Sequence, residues 1–522
     1  MRVTNKMIMN NAASNINSTK EIVNKRNTQM TSQKKIDKPS DDPVIAVRSL
    51  RLSTTLAQVT QYYDKNIPDA NQWISVTETA LINIRDIGKD CKEIATAGAT
   101  DTVNQDDRKT MITQLEALQK QLYAEGNSDY ANRTVFTGYR TNCNLTFTED
   151  DPNTKYQINQ SLSIEDLMEE HRYYSGEVII PTTEEELLKP SLDPTDADYV
   201  AISDITQTNF YRLRMNYNEI DTVNSVTFTL KLKDGTELNP SPTVTVYEDQ
   251  AAWADANAGV KTVADDAAVF IRETGELIFG NTLAASLKEG NATVDIQYEK
   301  QGFSEGELRP EYYYNCTKLV DETGANLTSN NVYTKFDDEG NRIYFDIEYT
   351  IAANQTININ TEACDVFDSS VQRDVGEMID AVQRVVKAYD KLSTLDDMMS
   401  ETQYASDTDQ EWLQKWKDAA QKEYDFYNDN MQKLFNTEIG KLTEYYDTIT
   451  LAITDLGCKG QSLELTKTRV GDQKETVQEL QSNNDDIDLS QIIIQYTAAY
   501  TAYQSSLTAA GKLGDSTLLN YI

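Results

Sequence analysis

Histidine is almost absent from this sequence, and the motifs of common catalytic sites are absent too. His171 is the only histidine among 522 residues, which excludes the H-E-x-x-H pair of a zinc peptidase. The five cysteines form no C-x-x-C pair, so neither a zinc ribbon nor a disulfide scaffold is indicated. No G-x-S-x-G, Walker or G-x-G-x-x-G motif occurs. We therefore predict no catalytic, cofactor-binding or metal-binding residues, and we interpret His171 as a surface residue in a charged loop.

Positive charge is scarce as well, and it is unevenly spread. The chain has 48 Lys and Arg against 84 Asp and Glu, a net charge of −36. This balance argues against nucleic-acid binding, because most of the surface repels phosphate. Residues 1–38 carry eight basic side chains against two acidic ones, whereas residues 144–363 carry 40 acidic against 15 basic. A basic N-terminal arm therefore precedes a strongly acidic middle.

Long hydrophobic runs are missing. No stretch approaches the roughly 18 apolar residues of a membrane span. The first residues, MRVTNKMIMNNAASN, lack the apolar h-region and small-residue cleavage site of a secretory signal. The sequence thus predicts no membrane contact and no cleaved signal peptide, so export would need another route.

Apolar residues recur at helical spacing in two long blocks. From Pro43 to about Ala97 the spacing alternates between three and four residues, as in a coiled coil, with Cys91 as a small core residue. A second helix is predicted after Asp106. The same rhythm returns between Val371 and Leu392 and again from Leu413 to Leu456. Each block presents a long apolar seam, and we predict that the two blocks pack on one another.

The outermost segments repeat more weakly. Residues 9–30 and 489–507 have apolar positions at helical spacing, but residues 9–30 hold few strongly apolar side chains. A single helix of this kind buries too little apolar surface to offset the conformational entropy lost when it forms. We expect both segments to become helical only when packed against other copies.

Between the helical blocks the pattern becomes that of β-structure. SVTFTLKLKDGTEL alternates and then offers an Asp234-Gly235 turn, and a second hairpin is predicted around Gly340. A third hairpin is predicted around Gly138 in YANRTVFTGYRTNCNLTF. The predicted fold class is therefore α+β: a long α-helical, coiled-coil-like rod formed by both chain ends, with a β-rich inserted domain.

The phrase KPSDDP separates the weak first segment from the strong helical block. Pro39 disfavours helix at Lys38, Asp42 can cap the next helix, and Pro43 suits its first turn. A well-capped helix start explains these residue types. It does not explain why a rigid joint stands at this place.

Three phrases resemble the flagellin superfamily and, within it, the proteins of the hook–filament junction. They are QKKIDKPSDDP at 33–43, NRTVFTGYRT at 132–141 and STLLNYI at 516–522. The resemblance covers residues 1–145 and about 365–522. It implies an extracellular structural subunit of the bacterial flagellum that joins hook to filament by self-assembly of its terminal helices. It also implies a homo-oligomeric ring, hook-associated and flagellin subunits as neighbours, an export chaperone, and type III export.

The resemblance further implies a division into three domains and three sets of assembly residues. Residues 1–42 would form an inner-tube helix paired with 485–522, residues 43–144 plus 364–484 the rod, and residues 145–363 the acidic outer insertion. The assembly residues would be Pro39, Ser40, Asp41, Asp42 and Pro43 in the joint between layers, Arg133, Phe136, Gly138 and Tyr139 in the rod hairpin, and Leu518, Leu519, Tyr521 and Ile522 in the inner tube.

The chain departs from the family pattern at one position. Family members commonly have glycine before the basic pair, whereas here Gln33 precedes Lys34 and Lys35. Glutamine has less access to positive φ, so the inner helix is expected to continue for a few residues.

Three other functions stay open at this stage. Flagellin itself, the bulk filament subunit, shares the same terminal pattern. An adhesive or carbohydrate-binding insertion is possible if Tyr312, Tyr313 and Tyr314 are exposed, although tyrosine-rich strands are more often packed. An enzymatic insertion is not excluded by counting carboxylates.

Overall fold

The computed structural model describes residues 5–100, 103–173, 178–202, 207–221, 226–233, 235–237, 242–257, 261–337, 339–366 and 368–515. Within these ranges lie eleven α-helices: α1 (Asn5–Ser32), α2 (Pro43–Gln61), α3 (Ile67–Gly98), α4 (Gln105–Gly126), α5 (Glu184–Leu188), α6 (Gln250–Ala256), α7 (Asn281–Glu289), α8 (Ala363–Val366), α9 (Val371–Ser400), α10 (Asp407–Asp485) and α11 (Leu489–Asp515). A π-helical turn, Tyr62–Asn66, joins α2 to α3 without a break.

The same ranges contain fourteen strands: β1 (Asp129–Tyr130), β2 (Arg133–Thr134), β3 (Asp151–Ser163), β4 (Met168–Tyr173), β5 (Gln207–Arg214), β6 (Thr227–Lys231), β7 (Val244–Tyr247), β8 (Ala268–Ile271), β9 (Glu276–Phe279), β10 (Thr293–Phe303), β11 (Asn315–Val320), β12 (Asn326–Tyr333), β13 (Glu348–Ala352) and β14 (Gln355–Asn358). Long helices at both chain ends and strands between them confirm the predicted α+β class.

The residues divide into two compact units. The first is drawn from Met1–Asn71, Tyr349–Ile357 and Lys459–Ile522, and the second from Gln72–Glu348 and Asn358–Cys458. In the first unit α1 packs against α11, so the two chain ends are partners. The β13–β14 hairpin also belongs here, where the Asn66 side-chain amide donates to the carbonyl oxygen of Thr350 at 2.7 Å.

Four helices provide the helical core of the second unit. Ile87 of α3, Leu115 of α4, Val382 of α9 and Phe435 of α10 lie in one buried cluster. The predicted packing of the two helical blocks on one another is therefore confirmed. Cys91 is buried in the same cluster as predicted, and burial raises the pKa of its thiol to about 12.

Two five-stranded sheets form the rest of the second unit. One has the order β12-β11-β3-β10-β6 and is antiparallel throughout, and the other has the order β4-β5-β9-β8-β7, with only β7 and β8 parallel. Both contribute to one hydrophobic core, which also takes in Leu287 of α7. Leu230 of β6 is buried there, as the alternation in SVTFTLKLKDGTEL predicts.

The hairpin predicted around Gly340 is only partly formed. Gly340 adopts a positive φ of 83° in a tight turn, where an antiparallel bridge joins Phe336 to Arg342 and the Asp337 and Ile343 amides donate to the carbonyl oxygens of Asn341 and Lys335 at 2.9 Å. Residues 343–347 form no strand beyond this turn, and there the Asn360 side chain accepts from the Ile347 amide and donates to the Phe345 carbonyl. The regular hairpin comes later, as β13 and β14.

A close contact between α3 and α10 allows a test of this helical core. A methyl group on Gly98 would overlap the buried ring of Phe435. Gly98→Ala should therefore lower the free energy of unfolding by about 1–3 kcal/mol, although alanine is the better helix former. In a Phe435→Leu background the same change should be milder. A double-mutant cycle measured by denaturant unfolding checks this, and strictly additive losses would contradict the contact.

Candidate assembly site

The joint at Pro39–Pro43 has the local geometry that its residues predict. Pro39, Ser40 and Asp41 form a turn, and α2 begins at Pro43. The Asp42 side chain caps that helix by accepting from the backbone N–H groups of Val44 and Ile45, at 3.0 and 3.2 Å. These bonds satisfy amides that lack partners within the helix. The joint is thus a stiff, capped connection.

Asp41 stabilises the turn from its other side. One carboxylate oxygen accepts from the backbone amides of Asp37 and Lys38 at 3.3 Å, and the Lys25 ammonium lies 3.6 Å from the other oxygen. The hydrogen bond from the Lys38 amide and that from Asp37 lower the pKa of this carboxyl. Asp41 therefore remains ionised and keeps the turn tied to α1.

The expected continuation of the inner helix beyond Gln33 is wrong. Helix α1 ends at Ser32, and Gln33 adopts a φ of 57°, in the left-handed region that glycine takes most easily. Its carbonyl oxygen accepts from the Ile487 amide at 3.0 Å. This pairing with the other end of the chain offsets the strain that glutamine brings to the position.

The segment after Gln33 pairs with the segment between α10 and α11. The Lys35 amide donates to the Asp485 carbonyl at 2.8 Å, and the Lys34 ammonium lies 2.6 Å from the Asp486 carboxylate. The hydrogen bond from Lys34 lowers the pKa of Asp486. Both chain ends therefore leave their terminal helices at one paired point. The sequence analysis missed Asp485 and Asp486, although an acidic pair matching the basic pair was a readable signal.

Gln33→Gly provides a test of this strained helix end. Glycine removes the penalty of the left-handed conformation, so protection of the last turn of α1 should rise by about 0.5–1 kcal/mol. The matched control is Lys20→Gly, in the exposed interior of the same helix, which should lose about 0.7 kcal/mol. Amide hydrogen exchange across α1 measures both changes. Equal losses of amide protection in Gln33→Gly and Lys20→Gly would show that Gln33 is not strained by a left-handed backbone.

The predicted rod hairpin is present, but its turn lies seven residues before Gly138. β1 and β2 pair around Ala131 and Asn132, which both adopt positive φ. The Arg133 guanidinium lies over the Trp73 ring, 4.8 Å from the centroid. This stacking anchors the hairpin on α3.

The other hairpin residues lie in irregular structure after β2. Phe136 is buried, and Gly138 adopts a φ of 63° where a Cβ would come within 2.8 Å of a Glu362 carboxylate oxygen. Tyr139 is 52% exposed, and its ring centroid lies 4.8 Å from that of Phe345. Phe136 and Gly138 therefore serve local packing, whereas Tyr139 presents an aromatic surface to solvent.

The remaining predicted residues contribute less to a site. Leu518, Leu519, Tyr521 and Ile522 lie outside the described residues, since α11 is described to Asp515. His171 belongs to strand β4 rather than to a loop. Tyr312 and Tyr313 are buried at 2% and 5% exposure, and Tyr314 packs on the sheet core. These three rings are therefore unavailable as the binding surface that was considered for them.

One cluster of potential metal ligands occurs in the described part of the chain. Glu362, Cys364 and Asp365 bring their ligand atoms within 4.8 Å of one another. The Lys335 ammonium lies 2.7 Å from the Glu362 carboxylate, and burial raises the pKa of the Cys364 thiol to about 12. A protonated thiol beside a carboxylate already paired with lysine is a poor set of metal ligands.

None of the helices that the structure describes has the length and hydrophobicity needed to cross a membrane. Tyr139 near the hairpin and apolar side chains of the terminal helix pair, among them Met7 and Ile494, are exposed and able to contact other chains.

Residues 3–141 match the family described as the bacterial flagellin N-terminal helical region. Over 142 residues the chain is 30% identical to flagellar hook-associated protein 3 of Salmonella typhimurium, covering 27% of this chain and 44% of that protein. The Escherichia coli protein of the same name is 32% identical over 114 residues, covering 22% and 36%. The chain thus spans less than half the length of the curated relatives it matches.

Solved structures give weaker similarity. A putative flagellar hook-associated protein from Vibrio parahaemolyticus has a TM-score of 0.35 at 11% identity, covering 85% of this chain and all of that one. Flagellar hook-associated protein-3 from Legionella pneumophila has a TM-score of 0.29 at 10% identity, with 83% and 97% covered. Scores this low carry no argument about the arrangement of the whole chain. The sequence matches confirm the resemblance drawn from the three phrases: residues 3–141 are similar to the bacterial flagellin N-terminal helical region, and the curated relatives are flagellar hook-associated proteins.

Proposed function

We propose that this chain is a structural subunit that joins the flagellar hook to the filament. The observation that carries the proposal is the surface of the terminal helix pair. Although α1 and α11 pack on each other, many of their large apolar side chains remain exposed, among them Met7, Met9, Ile22, Ile493, Ile494, Tyr500 and Leu507. An apolar surface of this kind is typical of a protein that packs against further subunits.

The joint suits a subunit whose two chain ends must enter an assembly together. Two stiff connections, one capped by Asp42 and one closed by Lys34 with Asp486, hold the terminal helices to α2 and α10 within the first unit. We assign Pro39, Ser40, Asp41, Asp42 and Pro43 to the crossing between an inner and an outer layer. We assign Arg133, Phe136, Gly138 and Tyr139 to shaping the hairpin where rod subunits meet, with the exposed Tyr139 ring as the group that contacts the neighbour. Leu518, Leu519, Tyr521 and Ile522 would pack in the inner tube.

The family resemblance supports further parts of this proposal. We expect a homo-oligomeric ring with hook-associated and flagellin subunits as neighbours, an export chaperone, and export without a cleaved signal peptide. We keep the division at residues 42, 144, 363 and 484 into inner-tube, rod and inserted domains. The role is mechanical and involves no enzymatic step.

Immunogold electron microscopy of intact flagella tests the proposal. An antibody against residues 145–363 should label one narrow band where hook meets filament, and flagella from a strain lacking the gene provide the control. Label along the whole filament would assign the chain as flagellin instead, the alternative favoured by the family description of residues 3–141. Absence of label on flagella of a strain that makes the protein would reject a flagellar role.

A further inference from the structure

A group of buried charges connects one sheet of the second unit to the helices beside it. Its members are Arg212 and Arg214 on β5, Glu276 on β9, Arg373, Asp374 and Glu377 on α9, and Glu438 and Lys441 on α10. Arg212 makes a bidentate pair with Glu377, with both N–O distances at 2.9 Å. Arg373 donates to the Thr274 carbonyl oxygen at 2.6 Å. The sheet is thus fastened to α9 by charged groups.

Two carboxylates in this group share one ammonium. The Lys441 nitrogen lies 3.2 Å from an oxygen of Asp374 and 3.0 Å from an oxygen of Glu438. Both carboxyl groups are fully buried. Asp374 has two more donors, the Arg214 guanidinium and the Tyr445 hydroxyl, the latter at 2.7 Å. Its negative charge is therefore well compensated.

Glu438 is much less well compensated. Its second oxygen, Oε2, is buried and has no hydrogen-bond partner among the described residues. The charged groups that face it are Asp374 from α9, Lys441 from α10 and Arg214 from β5. From the β4 side the Met168 thioether lies 3.9 Å from the Lys441 nitrogen, and Asp166 just before that strand also interacts with Lys441. Arg214 is itself shared between Asp374 and Glu377, so the Lys441 ammonium, divided between two buried carboxylates, compensates Glu438 only in part.

We propose that Glu438, Lys441 and Asp374 form a pH-sensitive latch that holds strand β5, through Arg214, against helices α9 and α10. When Glu438 is protonated, Lys441 and Asp374 pair without competition and the latch is closed. When Glu438 loses its proton, a second buried negative charge competes for the same ammonium, and the contact loosens. The proposal concerns this unit alone and does not rest on the junction role.

The direction of the pH response follows from burial. Desolvation, followed by the charge of Asp374, raises the pKa of Glu438 from 4.5 to about 7. Below pH 4.5 the carboxyl is protonated in both folded and open states, and the full stabilisation is present. As pH rises from 4.5 to about 7, the closed state holds a proton that the open state has released. The equilibrium constant for closing the latch therefore falls by at most about tenfold per pH unit. Above the folded pKa no further loss follows.

Amide hydrogen exchange on the full-length chain tests the latch, because exchange measures local opening without requiring two-state unfolding. After correction for intrinsic rates, the protection factors of β5 amides should fall several-fold per unit from pH 5 to 7 and then level off. Glu438→Gln should remove most of this fall, since glutamine is uncharged at every pH. Glu411→Gln, which alters an exposed pair with Lys415 on the same helix, should leave it unchanged.

Equal pH profiles for the unmodified chain and Glu438→Gln would overturn the proposal. If Glu438→Gln does not fold, the unmodified chain still decides the matter. A flat β5 profile between pH 5 and 7 excludes the latch. A fall limited to that range and absent from α4, which does not contribute to the charge cluster, supports it.

Discussion

Replacing Ile493 and Ile494 together by aspartate should abolish incorporation of the subunit into flagella. Both side chains are exposed on α11, at 52% and 70%, and in the proposed assembly both become buried. Fully burying an isoleucine is worth roughly 1.5–3 kcal/mol, and only the exposed 52% and 70% of these two side chains remain to be buried, so losing both weakens each contact at least about twentyfold. The added carboxylates would also have to be desolvated. Flagella sheared from cells and probed for the variant measure the effect.

The matched control for this pair is Gln504→Asp, which adds a negative charge at an exposed polar position of the same helix. It should assemble normally. Thermal unfolding of the second unit should be unchanged in both proteins, because both substitutions lie in the first unit. A double aspartate variant that still enters flagella would show that the apolar surface of the terminal pair is not an assembly contact.

Replacing Asp374 by alanine should produce the largest loss of stability among single substitutions in the charge cluster. The change removes the fully buried carboxylate that Arg214 and Lys441 share, and it removes one of the two hydrogen-bond partners of the Tyr445 hydroxyl. Removing one member of a buried ion pair typically lowers the free energy of unfolding by about 3–5 kcal/mol. Calorimetric unfolding of the full chain should therefore show a lower transition temperature for the second unit.

Asp390→Ala serves as the comparison, since Asp390 is an exposed carboxylate on the same helix. Its removal should change the free energy of unfolding by no more than about 0.5 kcal/mol. A loss below about 1 kcal/mol for Asp374→Ala would mean that water reaches the cluster and screens its charges.

Sequence periodicity predicted the helical part of the fold well. The apolar seams of α3, α9 and α10 extend over many turns, so many positions independently indicate the same buried helix face. Even there, a single position can depart from the pattern. Tyr389 lies in the stretch of α9 with the predicted apolar repeat but is 42% exposed, and its ring makes a tilted contact with that of Tyr424, with the centroids 5.9 Å apart.

The β-rich middle was less readable, because strand partners come from distant parts of the chain. β3 pairs with both β10 and β11, and nothing local in any of the three specifies the others. Residues 341–347 alternate like a strand, yet they have no adjacent strand to complete a ladder. Packing of Tyr312 and Tyr313 was the more common alternative for tyrosine-rich strands, and their burial agrees with it.

The charge cluster shows a different limit of sequence analysis. Arg212 and Arg214 alternate on β5, and such a pattern ordinarily indicates a face in contact with water. Their acidic partners lie on α9, about 160 residues further along. Gln33 was misjudged for a related reason, because the pairing with Ile487 that stabilises its left-handed backbone is invisible until both chain ends are placed together.

The pairing of the chain ends also has a consequence for the order of folding. Lys34 and Asp486 are separated by 452 positions, so the partner of α1 is synthesised long after α1 itself. Until then α1 has no partner against which to bury its apolar side chains, and a lone helix of its composition is not stable in water. Closing so long a loop costs conformational entropy before the contacts between the helices can stabilise the pair. The terminal pair is therefore the last part of the chain to fold and the first to open, and the subunit can present its two ends unpaired while the second unit is already complete.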